Sequence, residues 1–424
     1  MTFRGFEGPA GTGKTYRLIE EAGEHLNRHP LGSHQRVLAL TFMHGSRKRL
    51  DSRFRDTAQL RGRVQCMTID SFAHSIFQRW RSMASTKQLQ AEDFDQTCNA
   101  CGQLLEQPLI AKWVAQSFPV IVVDEAQELK PERLRILKAL TPHVTLFVAA
   151  DEFQCLDERL DTAPFLEWFR AGNIEELTFV RRTGQRGLLE AGVALRSLQN
   201  PAPGTGLRIE YKFKNVMPFA VVASLSRSRG TRALIYAPSG RSWADEIIAR
   251  AAQGMQSQGY GTIRPLRLVH EDSHREEKAK ILEAVEGREL LEHTEFLDLL
   301  SSIDEEPCWM TSVISAIRRS AQTQGKSQWT ASEATDLIER KAAHHRAYGF
   351  SRMNGIPVMS IHQAKNRQFD HVVLLWPPGV SGSDEQKARL LYNGITRAAH
   401  SCSVFVRTQP LLSQPPFLFG HAPT

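Results

Sequence analysis

The sequence predicts an α/β protein built from two parallel-sheet halves, and three observations carry that expectation. Short apolar runs alternate with helical patterns in both halves, which is how a parallel sheet with crossover helices reads in one dimension. A turn-rich break, Pro201-Ala-Pro-Gly-Thr-Gly206, falls between them and suits a hinge. The first apolar run leads directly into Gly8-Pro9-Ala10-Gly11-Thr12-Gly13-Lys14-Thr15, a glycine-rich turn of the kind that opens a helix onto a phosphate.

The elements follow in order. Strands are expected at Phe3–Glu7, Val37–Thr41, Val64–Thr68, Val120–Val123 and Val144–Ala149, with helices beginning at Lys14 and near Phe72, Pro131 and Pro164. After the break, strands are expected at Leu207–Tyr211, Phe219–Ser224, Ala233–Ala237, Leu266–Val269, Val358–Ser360, Val372–Leu375 and Ser403–Val406. The expected domains are 1–200, with a short helical insertion at about 73–118, and 201–424, with a helical insertion at about 270–350. The proline-bearing tail, Gln409–Thr424, reads as irregular. Its apolar stretch from Pro410 to Phe419 is either a strap over the chain's own core or a partner contact.

Composition narrows the class. The chain has 424 residues, 41% hydrophobic and 23% charged, which is ordinary for a globular protein and excludes collagen-like or largely disordered chains. Its longest apolar stretches, such as Val120–Val123 and Val372–Trp376, are strand-sized and far too short to span a bilayer. Met1–Phe6 leads straight into the phosphate loop, so no signal peptide is expected. Six cysteines are too few for a disulfide scaffold, and a reducing cytoplasm is the expected compartment. Cys98 and Cys101 lack a second Cys or His pair nearby and read as ordinary thiols. The net charge is +7, and it is concentrated. Between Arg28 and Arg63 nine basic residues face two acidic ones, a density consistent with phosphate or nucleic-acid contact or with a solvated surface.

Two motifs carry chemistry. In the phosphate loop, glycines allow backbone N–H groups to turn inward, Lys14 is expected to reach the β- and γ-phosphates, and the Thr15 hydroxyl to ligate Mg²⁺. Val120–Val123 delivers Asp124 and Glu125 to the end of a strand. There Asp124 can bind the metal through water and Glu125 can polarise an attacking water, the division of labour that phosphoryl transfer needs.

With Ala126 and Gln127, those carboxylates form an Asp-Glu-Ala-Gln run that resembles motif II of the UvrD-type superfamily 1 helicases, and further motifs follow in the family's order. Thr41-Phe42-Met-His44 is similar to motif Ia, and Met67-Thr68-Ile-Asp-Ser71-Phe72 resembles the Thr-Phe-His-Ser element. Ala150-Asp151-Glu-Phe-Gln154 resembles motif III, and Leu177 to Thr183 resembles motif IV. Ser360-Ile-His362-Gln-Ala-Lys365-Asn-Arg-Gln368-Phe369-Asp370 resembles motif V, and Arg389 to Ala398 resembles motif VI. The resemblance implies two RecA-like P-loop NTPase domains with ATP and Mg²⁺ between them, driving 3′ to 5′ movement on single-stranded DNA. It implies that Gln154 senses the γ-phosphate and that Arg182 and Arg397 reach it from across the cleft. Arg181 lies beside Arg182, so the motif IV assignment fits either. Phe42 falls at a base-stacking position. His44, Thr68 and His362 fall at strand-contact positions within their motifs, and Ser71 and Ser360 belong to the same elements.

The chain also departs from the family pattern. No glutamine motif precedes Gly8, and no aromatic follows motif III between Cys155 and Asp161. Arg181 stands where the family has a Tyr that stacks on adenine, and Asn366-Arg367-Gln368 replaces a Gly-Leu-Glu, leaving Gln368 at the ribose-facing position. These departures leave a second expectation open, a DNA-sensing regulatory ATPase subunit that does not unwind duplex. By resemblance to short UvrD-like proteins of antiphage systems, a partner nuclease would accompany it. A lone P-loop kinase or GTPase is disfavoured, because neither needs a second domain carrying Arg397.

Overall fold

The computed structural model describes residues 3–42, 44–213, 215–257, 261–270, 275–302, 309–348 and 355–419. Six strands form the first sheet: β1 (Phe3–Glu7), β2 (Val37–Thr41), β3 (Val64–Thr68), β4 (Val120–Val123), β5 (Thr145–Ala150) and β6 (Asn173–Glu176). Their order is β3-β2-β4-β5-β1-β6, and every neighbouring pair is parallel. Central strands of such a sheet are covered on both faces, which is why β2 and β4 are buried along their whole length,. Alternation then sorts their side chains. Leu38, Leu40, Ile121 and Val123 enter one core, while Val37, Ala39, Val120 and Val122 enter the other with Leu18 and Ile19 of helix α1 (Lys14–Arg28),.

The predicted β1 to β4 match in their bounds, and the fifth strand begins at Thr145 rather than Val144. The sequence reading omitted β6. Its Asn-Ile-Glu-Glu is an edge strand with polar, half-exposed residues, so it has no apolar run to reveal it. The segment expected as a first insertion is a set of helices, Ile69–Arg79, Arg81–Thr86, Phe94–Leu105 and Pro108–Ser117. Ala73, Ile76, Cys98, Cys101, Leu104 and Val114 pack into the same core as β2 and β4, so these helices cover the sheet. Burial pushes the Cys98 thiol up to about 12 and Cys101 well above the usual thiol range, which marks both as inert.

The second sheet contains β7 (Leu207–Tyr211), β8 (Arg232–Tyr236), β9 (Leu268–His270), β10 (Ile356–Ser360), β11 (Phe369–Trp376) and β12 (Ala398–Val406), in the order β9-β10-β8-β11-β12-β7. One predicted strand is wrong. Phe219–Ser224 lies inside a helix, Met217–Arg227. Its Phe-Ala-Val-Val run reads as β-branched and apolar. Pro218 in the first turn favours helix initiation, and Met217, Phe219, Val221, Val222 and Leu225 are all buried along it. Tertiary burial outweighs the β-propensity of two valines. The tail forms a short 3₁₀ turn at Gln409–Ser413. Phe417 then packs edge-on against Trp376 at 5.5 Å, and Phe419 N donates to Asn200 Oδ1 at 2.7 Å, as a strap would.

The chain divides into two compact units, residues 1–266 with 360–424 and residues 267–359. The second unit has its own core, in which Ile281, Val285, Phe296, Val313, Ile317 and Ile338 are buried. They come from helices Arg275–Glu286, His293–Ser301, Met310–Gln324 and Ala331–Tyr348, in line with the helical block expected there. Residues 271–274, 303–308 and 349–350 of that block lie outside the described residues. Phe296 is fully buried and meets Trp329 edge to face at 5.9 Å. Phe296→Ala is therefore expected to cost about 3–5 kcal/mol, read as a lowered urea midpoint by tryptophan fluorescence. A midpoint unchanged from wild type would refute this packing.

Candidate active site

Strand order puts three loops side by side. β4, β5 and β1 are neighbours, with Val123 opposite Val148 and Glu7 opposite Ala150. Asp124, Asp151 and Gly8 therefore leave adjacent strands at their carboxyl ends, where parallel sheets bind ligands. The loop backbone depends on its glycines. Gly11 and Gly13 have φ of 85° and 93°, which other residues adopt poorly. A Cβ on Gly8 would lie 2.2 Å from the Leu177 carbonyl oxygen. Helix α1 then starts without a side-chain cap at Gly13, leaving its first N–H groups and its dipole for an anion.

Lys14 curls back over this loop. Its Nζ donates to the Gly8 carbonyl at 2.7 Å and the Pro9 carbonyl at 3.1 Å, and lies 3.6 Å from Asp151 Oδ2. Pro9, Ala10 and Thr12 complete the cradle, with the Thr12 hydroxyl donating to the Pro9 carbonyl at 3.0 Å. The Thr15 hydroxyl donates to Asp124 Oδ2 at 2.9 Å. Burial, followed by the Glu125 charge, pushes the Asp124 carboxyl above its usual range. An oxygen pair of this kind, a hydroxyl beside a buried carboxylate short of positive charge, fits Mg²⁺. Among the described residues no group of three or more His, Cys, Asp or Glu could hold a metal by itself, so phosphate oxygens and water would complete the shell.

Beside this pair, Glu125 adopts φ 60° and ψ 40°, a left-handed conformation that is costly for a non-glycine residue and gathers at functional sites. Its Oε2 accepts from Gln127 Nε2 at 2.7 Å, and Gln127 Oε1 accepts from the Asp151 N–H at 3.0 Å. Gln154 Nε2 donates to Asp151 Oδ2 at 2.7 Å, and Arg196 Nη1 donates to Asp151 Oδ1 at 2.7 Å. Asp151 is 0% exposed. Burial raises its pKa, but the charges of Lys14 and Arg196 and the bonds from Arg196 and Gln154 outweigh that and hold it below the usual carboxylate range.

The second half of the chain reaches the same place. A cavity of about 890 Å³ is lined by Gly11, Lys14, Thr15, Glu125 and Gln154, and also by Arg182, Gln368 and Arg397. Arg397 is buried, its Nε donating to the Asn393 carbonyl at 2.9 Å and its Nη2 to the Thr396 hydroxyl at 3.2 Å. Arg182 Nη1 donates to the Thr396 carbonyl at 2.7 Å, which brings both arginines to one turn. Arg181 also lines the cavity, its backbone N–H donating to the Gly11 carbonyl at 2.8 Å. Three more contacts join the halves. The Tyr392 hydroxyl accepts from the Ala10 N–H at 2.7 Å, Arg389 donates to the Glu152 carbonyl at 2.9 Å, and Lys365 pairs with Glu128.

The residues expected on nucleic acid are more dispersed. Phe42 and Thr68 sit at the ends of β2 and β3, whose Thr41 and Thr68 are register partners. Phe42 is half-buried and packs against the core. The Thr68 hydroxyl caps the next helix, accepting from the Ser71 N–H at 3.1 Å, and lies 2.7 Å from the Ser71 hydroxyl. His44 opens the helix His44–Asp56, and its side chain lies outside the described residues. Ser360 and Gln363 bond each other reciprocally across a turn, and His362 is exposed. Among the described residues, members of the basic block have different surroundings. Arg53 lines the cavity, Arg55 pairs with Asp51 at 2.5 Å, and Arg63 donates to the Gly32 carbonyl at 2.6 Å.

Sequence reading missed several residues of this network. Gln127 and Asp151 stood inside recognised motifs, and their hydrogen-bonding potential in a buried loop was the available signal. Tyr392 likewise stood inside motif VI. Nothing local marks Arg196, which reaches Asp151 from the end of the helix Arg186–Arg196.

Residues 4–158 match the model of an AAA domain, and residues 355–405 match that of a UvrD-like helicase C-terminal domain. No curated protein matches the chain. Among solved structures, an Arterivirus nonstructural protein 10 helicase aligns at TM-score 0.42 and 10% identity, over 98% of this chain and 62% of that one. The same protein in complex with DNA aligns at TM-score 0.40 and 10% identity, over 97% and 62%. The PRRSV helicase aligns at TM-score 0.40 and 11% identity, over 99% and 56%. The chain thus spans less than two thirds of those proteins, and likenesses so distant carry no weight in the assignment. The family models place a likeness to an AAA domain in the first half of the chain and a likeness to a UvrD-like helicase C-terminal domain in the second.

Proposed function

We propose that the chain is an ATP-driven motor on single-stranded nucleic acid, DNA in preference to RNA, moving 3′ to 5′. The observation that carries this reading is the two-sided cavity, where Lys14, Thr15, Glu125 and Gln154 meet Arg182 and Arg397. On this reading the lobes are residues 1–200 and 201–424, with the turn-rich stretch at 201–206 between them.

Each residue then has a role in hydrolysis. The N–H groups of Gly11 to Thr15 and the start of α1 hold the β-phosphate, and Lys14 turns its ammonium from the Gly8 and Pro9 carbonyls to the phosphates. Thr15 and Asp124 would hold Mg²⁺, which neutralises charge on phosphate oxygens. Glu125, kept in place by Gln127, orients and deprotonates the attacking water. Arg397 and Arg182 stabilise charge on the transferring group and make hydrolysis depend on both lobes. Gln154, bonded to Asp151 and following β5, reports the phosphate state to the strand-binding side. Phe42, His44, Thr68, Ser71, Ser360 and His362 are proposed to meet the nucleic acid there.

Two observations favour the alternative, a DNA-sensing ATPase subunit that leaves unwinding or cutting to a partner such as a nuclease. The Thr68 hydroxyl is occupied by its helix cap, and Cys155 to Asp161 offers no aromatic to stack on a base, a contact worth about 1–3 kcal/mol per base elsewhere.

ATP hydrolysis is expected to rise at least about tenfold on adding single-stranded DNA, a gain of roughly 1.4 kcal/mol, measured beside GTP and single-stranded RNA. No stimulation by either strand would end the motor reading, and stimulation without duplex unwinding would select the subunit. Arg397→Ala is expected to lower kcat about 10³-fold while the affinity for ATP changes little. Retained turnover in that variant would remove Arg397 from the chemistry.

A further inference from the structure

Asp151 presents an electrostatic conflict that the reading above leaves open. Its carboxylate has no access to water, so its charge is met only by groups inside the protein. Oδ2 accepts from Gln154 and lies 3.6 Å from the Lys14 ammonium, while Oδ1 accepts from Arg196 at 2.7 Å. Lys14 is thus within reach of a buried counter-ion, and a buried carboxylate is a strong competitor for an ammonium that must also serve phosphates. Without a second cation on Oδ1, that oxygen would be left short of positive charge and would draw Lys14 closer.

The second cation is held unusually well for a surface-derived arginine. Arg196 ends the helix Arg186–Arg196, and its guanidinium lies 5.3 Å from the centroid of the Phe153 ring and 5.6 Å from that of Tyr392. Those rings meet edge to face at 5.1 Å, so the planar guanidinium is fixed by two aromatic faces as well as by Asp151. Tyr392 in turn bonds the Ala10 N–H of the phosphate loop. One guanidinium therefore touches the residue that competes for Lys14 and the ring that anchors the loop.

We propose that Arg196 is a positioning residue of the nucleotide site: by satisfying Oδ1 of the buried Asp151, it keeps the Lys14 ammonium available to the phosphates. This rests on the reading of the site as a nucleotide pocket. The relation is one of competition, so it predicts rescue. Removing the cation alone lets Asp151 capture Lys14. Removing the carboxylate's charge as well releases Lys14 again.

The test is equilibrium binding of a fluorescent ATP analogue to the full chain, with turnover measured alongside. Arg196→Gln is expected to raise the Kd about tenfold, the scale of coupling between contacting residues. Asp151→Asn placed in the Arg196→Gln background is expected to restore the Kd to within about threefold of wild type. Arg196→Lys, which keeps the charge, is expected to fall between wild type and Arg196→Gln. A purely structural Arg196 would show no rescue by Asp151→Asn, and that result overturns the proposal, as does wild-type affinity in Arg196→Gln. If Arg196→Gln does not fold, the double variant and Arg196→Lys decide: a double variant that binds more weakly than Arg196→Lys overturns the proposal. A wild-type chain that binds no ATP analogue overturns the pocket reading itself and this inference with it, whereas wild-type binding with unresponsive variants overturns this inference alone.

Discussion

The charge of Asp151 has to be met from within the protein, and much of the site is arranged around that requirement. An ion taken out of water without partners costs several kcal/mol, so each oxygen and the neighbouring main chain are engaged. Lys14 comes from the phosphate loop, Gln154 from the turn after β5, Arg196 from a helix more than forty residues on, and Gln127 from the loop after β4. Three side chains therefore meet one carboxylate, and Gln127 holds the main-chain N–H beside it. Because Gln127 also holds Glu125, the residue proposed to act on water is one hydrogen bond away from the same cluster. Lys14 and Glu125 are thus joined through short, largely buried links by way of Asp151 and Gln127,.

The second half of the chain is joined to this cluster through main-chain groups more than through surface charge. Tyr392 bonds an N–H of the phosphate loop, Arg389 a carbonyl after β5, and Arg182 a carbonyl of the turn that carries Arg397. Such bonds require particular backbone conformations, so they discriminate between arrangements more sharply than exposed ion pairs do. The Lys365–Glu128 pair is the exception in kind, yet it too is largely buried: burial pushes the Glu128 carboxyl up and Lys365 pulls it back. On the proposed reading, a site assembled in this way would meet its nucleotide from both sides, which is how hydrolysis could be coupled to movement.

What the sequence could disclose follows from how local each signal is. The phosphate loop, β4 with Asp124 and Glu125, and the run around Arg397 carry spacing constraints within ten residues, and the structure brings them into one cavity. Strands with both faces buried were readable as apolar runs, whereas the polar edge strand Asn173–Glu176 was not, and the helix Met217–Arg227 passed for a strand because burial, not propensity, decides it. The basic block from Arg28 to Arg63 read as one address for nucleic acid. Among its described members, Arg53 lines the cavity while Arg55 and Arg63 make local contacts. Arg196 lay beyond any local rule, since its role exists only through a contact 45 positions away.

The same reasoning explains why a candidate phosphate site was legible and a base site was not. Phosphates are read by backbone N–H groups, which impose glycines at fixed spacing and so leave a motif. Beyond the phosphate loop, the cavity continues along one face of α1, past Tyr16, Glu20, Glu24 and Asn27, and is closed by Thr57, Ala58 and Gln59. Tyr16 is 60% exposed, so its ring is open to stacking. Asn27 and Gln59 each offer both a donor and an acceptor. Residues four and seven apart on a helix share a face whatever their chemistry, so a wall of this kind can be rebuilt without disturbing the loop that anchors it. On the proposed reading, the Arg181 and Gln368 departures therefore bear on which base the pocket prefers, while the glycines fix the hold on the phosphates.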